Sequence, residues 1–129
     1  MGIVIVHVKE HCMSRLRSLA LVVLLLATLT ACTTQPVATA GAVVIDVRTS
    51  QEFAQGHLEG ALNLDLQSGS FEAAVAKLPS DGSYLVYCRS GNRSGQAARI
   101  MTDLGFTTVK DLGALENAAA TTGLPVVTR

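Results

Sequence analysis

One cysteine places the strongest constraint on what this chain can fold into. Cys88 closes the apolar run Ser83-Tyr84-Leu85-Val86-Tyr87 and opens a loop, Arg89-Ser90-Gly91-Asn92-Arg93. Between Ser94 and Leu104, Ala97, Ala98, Ile100, Met101 and Leu104 recur at helical spacing, and Gly105 supplies a stop. An apolar strand, a glycine loop and a helix in that order belong to an α/β sheet, where ligands bind at the carboxyl ends of the strands. The first amides of the helix lack internal partners, and Gly91 permits backbone conformations that let successive N–H groups curl around an anion. A thiolate in such a cup is favoured over the thiol, with the guanidinium groups of Arg89 and Arg93 adding to the effect. Cys88 is therefore expected to titrate below the usual thiol value of about 8.5. That thiolate can attack an electrophilic sulfur without a general base, and the same amides can hold the resulting persulfide.

The flanking sequence predicts alternating strands and helices. Ala42 to Val47 is a short β-branched apolar run, as in a strand covered on both faces. Thr49-Ser50-Gln51-Glu52 matches a capping box and starts a short helix that Gly56 ends. Ala61 to Leu64 reads as a second strand and Ser70 to Leu78 as a helix stopped by Pro79. Ser83 to Tyr87 is the third strand, and Thr107 to Lys110 the fourth. Leu115 to Ala120 is a further helix and Leu124 to Arg129 an irregular tail. The alternation predicts a three-layer α/β domain over residues 42–129.

Upstream, Met13-Ser14-Arg15-Leu16-Arg17 precedes an apolar run from Leu19 to Leu29, and Thr30-Ala31-Cys32 follows. A basic segment, an apolar segment and small residues make an export signal, with translation expected to start at Met13. The apolar part holds about a dozen residues, short of the roughly 20 a spanning helix needs. Leu29-Thr30-Ala31-Cys32 resembles a bacterial lipobox, which makes Cys32 the expected site of lipidation. An ordinary secretory cleavage site is the alternative. Acylation would hold a soluble domain at a membrane, each buried methylene contributing about 0.8 kcal/mol. Residues 33–41, rich in Thr, Ala, Pro and Gly, suit a flexible tether. The expected location is the periplasm or cell envelope.

After Cys32 the chain carries seven basic against nine acidic side chains, with no basic stripe of the kind that binds nucleic acid. The basic residues that cluster, Arg89 and Arg93, lie in one loop, so the partner there is expected to be a small anion. With Cys12 and Cys32 in the leader, Cys88 has no disulfide partner in the domain. An unpaired thiol in an exported protein suggests that its reactivity is used. Neither Cys-x-x-Cys nor a helical pair of histidines occurs after the signal, so no metal is expected.

Cys88-Arg89-Ser90-Gly91-Asn92-Arg93-Ser94 resembles the active-site loop of rhodaneses. Val44-Ile45-Asp46-Val47-Arg48 with Glu52-Phe53, and Gly56-His57-Leu58-Glu59-Gly60-Ala61-Leu62-Asn63-Leu64, resemble two further signatures of that family in order and spacing. The chain likewise resembles the small exported rhodaneses of the phage-shock type. The resemblance implies a rhodanese-like domain with a small, mainly parallel sheet flanked by helices, acting as a monomer without a cofactor. It implies that Cys88 takes sulfane sulfur from thiosulfate, releases sulfite and passes the sulfur to cyanide or a thiol. Ser90, Gly91 and Asn92 would shape the substrate loop, and Arg89 and Arg93 would orient the anionic donor. Cysteine phosphatases share the strand, cup and helix but space cysteine and arginine one residue further apart, and the tighter cup here suits a single sulfur atom.

A persulfide carrier or sensor acting on a protein partner is the alternative from another class. Asp46 and Arg48 are expected to brace loops rather than to touch substrate. His57 is expected to pack a turn, and Arg99 to face water. Gly113-Ala114-Leu115 departs from the family's Gly-Gly pair, with no tryptophan after it, which puts the acceptor side of the pocket in doubt.

Overall fold

The computed structural model describes Thr39 and residues 41–128. The leader, the start at Met13, Cys32 and all of the tether except Thr39 and Gly41 lie outside the described residues. Among the described residues the elements are, in order, β1 (Ala42–Asp46), α1 (Ser50–Gln55), β2 (His57–Leu58), β3 (Leu62–Asn63), α2 (Phe71–Val75), β4 (Ser83–Cys88), α3 (Asn92–Asp103), β5 (Thr108–Ala114), α4 (Leu115–Thr122) and β6 (Val126–Val127).

Four strands form one sheet in the order β3-β1-β4-β5, every pairing parallel, with β1 and β4 at its centre. Parallel strands covered on both faces should be apolar throughout, and Tyr84 to Cys88 is buried without a break. Because side chains alternate across a strand, β4 feeds two cores. Tyr84, Val86 and Cys88 join Ile45, Phe71, Val75 and Met101 on the side of α2 and α3. Leu85 and Tyr87 join Val44, Leu58, Leu112 and Ala118 on the side of α4. The expected three-layer α/β architecture is present.

Several boundaries differ from those expected. The 57–58 segment, expected to be a turn, pairs antiparallel with Val126–Val127, so the tail expected to be irregular contributes a strand. Pairs this short carry no periodicity to read. The helix expected over Ser70–Leu78 spans only Phe71–Val75, and α3 begins at Asn92, two residues before Ser94. β5 runs on from Lys110 to Ala114 through a register shift: Val86 faces Asp111 and Tyr87 faces Gly113, so Leu112 is the extra residue. A bulge of that kind bends a strand and re-aims its end.

Side chains fix the start of α1 and the strand that follows it. The capping box is formed, with Thr49 Oγ1 accepting from Glu52 N at 3.2 Å and Thr49 N donating to Glu52 Oε2 at 3.1 Å. Tyr87 Oη, in the central strand, accepts from Leu58 N at 3.0 Å and so satisfies an amide in β2. Leu58 is buried, and a buried donor left without a partner costs about 1–3 kcal/mol. Tyr87→Phe is therefore expected to lower the unfolding free energy by an amount in that range, read as a lower urea midpoint with no change in m-value. An unchanged midpoint would show that Leu58 N finds another acceptor.

Candidate active site

The carboxyl ends of β1, β4 and β5 lie side by side, which brings Asp46, Cys88 and Ala114 to one edge of the sheet. At the end of β1, Arg48 folds back on Asp46. Nε reaches both carboxylate oxygens at 2.9 and 3.0 Å, and Nη2 reaches Oδ2 at 2.6 Å. Nη2 also donates to Gly56 O at 2.6 Å, and the guanidinium lies 5.7 Å from the centre of the Tyr87 ring. Asp46 is fully buried and Arg48 nearly so. The pair thus braces β1, the end of α1 and β4 together, the supporting role expected for it. His57 also behaves as turn packing: it is buried, Nδ1 lies 2.8 Å from Phe53 O, and the ring stacks on Phe53. Arg99 is exposed.

Cys88 is wholly buried at the end of β4. Gly91 N donates to its Sγ at 3.0 Å, and Sγ lies 3.5 Å from Ser94 Oγ. Gly91 adopts φ +96°, a left-handed conformation that side chains resist, and a Cβ there would meet Gly113 Cα at 3.5 Å. Burial pushes the Cys88 thiol up. The hydrogen bond shared with the Ser94 hydroxyl and those from the amides of Ser94, Ser90 and Gly91 outweigh it, and the thiol lies below its ordinary value. The amide cup inferred from the loop is present.

The remaining loop residues divide. Arg89, Ser90 and Asn92 are exposed, Arg89 beside the thiol in sequence and Asn92 in the first turn of α3. Arg93, expected to orient an anionic donor, is held by Glu52 in a two-pronged ion pair, Nη1 to Oε2 at 2.8 Å and Nη2 to Oε1 at 2.9 Å. Arg93 holds the Glu52 carboxyl down to about 2, with the Thr49 hydrogen bonds assisting against burial.

Two residues of the site were not singled out from sequence. Ser94 is fully buried, and its hydroxyl donates to Gly91 O at 3.1 Å while facing Sγ. Its place directly after Arg93 in the loop motif was the available signal. Glu52 was legible as a cap, but its clasp on Arg93 spans 41 positions and leaves no local pattern.

Beside the loop lies a cleft of about 300 Å³, walled by the end of α1, the first turn of α4 and Val126 of β6. The charged residues lining it are Arg48, Glu52, Arg89 and Glu116.

Comparison with known proteins decides what this geometry belongs to. Residues 31–117 match the family described as Rhodanese-like domain. The chain belongs to the rhodanese-like family. It is 36% identical over 75 residues to thiosulfate sulfurtransferase PspE of Escherichia coli, covering 58% of this chain and 72% of that one. It is 35% identical to a sulfurtransferase of Allochromatium vinosum, covering 66% and 78%. Among solved structures, a rhodanese with anions from E. coli superposes with a TM-score of 0.58 at 32% identity, covering 68% of this chain and 99% of that one. A rhodanese-related protein from Thermoplasma volcanium gives 0.59 at 28% identity, covering 70% and 87%. The chain has the rhodanese-like fold and is a rhodanese-type enzyme of the sulfurtransferase class.

Two outcomes test the electrostatics. Ser94→Ala removes a hydrogen bond that favours the thiolate, so the pH profile of Cys88 alkylation by iodoacetamide should move to higher pH, and an unmoved profile would remove Ser94 from the account. Glu52 falls from an ordinary 4.5 to about 2 on folding. Its contribution to stability is complete above about 4.5 and is lost as pH falls towards 2. Glu52→Gln should be less stable than the parent at pH 7 in urea titrations, and the gap should close across that window. A gap constant from pH 7 to pH 2 would contradict the ion pair.

Proposed function

We propose that the chain moves sulfane sulfur from thiosulfate, or a similar donor, to a thiol or cyanide through a persulfide on Cys88. The observation that carries this reading is Sγ held by the Gly91 amide and the Ser94 hydroxyl, with the thiol below its ordinary value. The names of the sulfurtransferase relatives support the same reaction.

The Cys88 thiolate attacks the outer sulfur of thiosulfate. The new S–S bond forms as the donor's S–S bond breaks, and sulfite leaves with the electron pair. Cys88 then carries a persulfide whose outer sulfur bears the negative charge. The loop amides favour that anion as they favour the thiolate, because they are fixed in place and need no reorganisation. An acceptor thiol gives up its proton to the transferred sulfur as its own sulfur bonds to it, and Cys88 departs as thiolate. No outside oxidant enters either half.

With Arg93 clasped by Glu52, Arg89 is the loop cation left to draw in a dianionic donor. Ser90, Gly91 and Asn92 shape the loop around it. For location, the basic start, apolar run and lipobox-like Leu29-Thr30-Ala31-Cys32 support export to the cell envelope and a lipid anchor on Cys32. Labelled palmitate on the parent and its absence from Cys32→Ser is the expected result, and label retained by the variant would overturn the anchor.

Cys88→Ser is expected to reduce thiocyanate formation from thiosulfate and cyanide to background, about a thousandfold or more below the parent. Mass spectrometry of the parent after thiosulfate alone should show one added sulfur on the peptide carrying Cys88. Full sulfur transfer by the serine variant would overturn the mechanism.

A further inference from the structure

The cleft beside the cysteine loop holds a carboxylate, Glu116, that the transfer of sulfur from thiosulfate does not use. Four charged residues line it. Two are already neutralised, Arg48 by Asp46 and Glu52 by Arg93. The other two, Arg89 and Glu116, make no ion pair or side-chain hydrogen bond among the described residues, and they do not bridge to one another. The cleft therefore presents one free cation next to Cys88 in the chain and one free anion in the first turn of α4, with no net charge between them. A dianion gains from the first and is repelled by the second. A small molecule carrying both a carboxylate and an ammonium group gains from both. A cleft of about 300 Å³ is at the small end of ligand pockets, a size suited to an amino acid or short peptide.

We propose that this cleft is the acceptor subsite and that it selects a zwitterionic small thiol, an α-amino-acid thiol or a short peptide of one. The proposal rests on the sulfur-transfer reading and names its acceptor class. The carboxylate pairs with Arg89, the residue next to Cys88, and the ammonium with Glu116. The outer sulfur of a persulfide extends about 2 Å beyond Sγ, towards a second thiol that need not reach the buried cysteine itself. The acceptor's sulfur bonds to that outer sulfur, its proton passes to the transferred atom, and the Cys88 S–S bond breaks to return the thiolate. Glu116 lies two residues past Ala114 and is exposed, so exchanging it leaves the core untouched.

The test compares three acceptors with thiosulfate fixed: L-cysteine, 3-mercaptopropionate, which lacks the ammonium, and cysteamine, which lacks the carboxylate. The quantity read is the ratio of kcat/KM values within each protein, and differences in acceptor thiol acidity cancel when a variant's ratio is divided by the parent's. Glu116→Lys is expected to lower the cysteine to 3-mercaptopropionate ratio about threefold to tenfold, the size of a partly screened ion pair. Arg89→Glu is expected to lower the cysteine to cysteamine ratio by a similar factor. A second measurement needs no turnover: S-methylcysteine should slow iodoacetamide alkylation of Cys88 in the parent and lose that effect in Glu116→Lys. Ratios unchanged in both variants, or protection that persists in Glu116→Lys, would overturn the subsite. Failure of thiosulfate to load sulfur on Cys88, with S-methylcysteine protection intact, would instead overturn the transfer reaction and leave the zwitterion site standing.

Discussion

The buried ion pair between Arg48 and Asp46 is the interaction on which the site edge depends. β1 and β4 end together, and the chain leaves both towards loops that must be held without regular structure. Arg48 does this from one position: it grips the carboxylate of its own strand, caps the carbonyl of Gly56 beyond α1 and lies against the Tyr87 ring. Burying two charges is costly, and their attraction offsets the cost only when the remaining donors and lone pairs are occupied. Here Asp46 accepts from the Arg48 amide as well as from its side chain. Burial and the adjoining Asp46 hold the Tyr87 hydroxyl above its usual range, so it stays neutral and available to Leu58. Loss of either charge would strand the other in the sheet.

At Cys88 two large effects oppose each other. Enclosure disfavours a thiolate, and fixed amides with a hydroxyl favour it; the second wins. The same enclosure strengthens every hydrogen bond to sulfur by excluding water. A thiolate made stable in this way is less nucleophilic than a more basic one, since nucleophilicity falls with acidity. In the proposed reaction its advantage lies in a larger thiolate fraction than an ordinary cysteine has and in being a better leaving group when the acceptor takes the sulfur. Both halves of the proposed reaction thus draw on one set of donors.

What could be read from the sequence was what is local. The β-branched runs of β1 and β4, the capping box at Thr49 and Glu52, and the cysteine loop with its helix each declare themselves within a few residues. The amphipathic spacing of α3 did the same. The pairing of His57–Leu58 with Val126–Val127 could not be read, since two residues carry no period and the partners lie some seventy positions apart. The bulge at Leu112 depends on the neighbouring strand, not on its own sequence. Arg93 was assigned to the donor from its place in the loop alone; the ion pair with Glu52 is a fact of the fold, set by where α1 packs.

That ion pair changes how an anion is recognised here. If Arg93 were free, two adjacent guanidinium groups would attract any dianion from solution, with little regard for shape. In the proposed reaction, with Arg93 neutralised, the long-range pull on the donor falls to Arg89, and discrimination passes to the amides of Ser90, Gly91 and Ser94, which act only over hydrogen-bond distance. Glu52 therefore does more than cap a helix. It removes a nonspecific charge from the cup and leaves the geometry of the backbone to decide which atom Cys88 can hold.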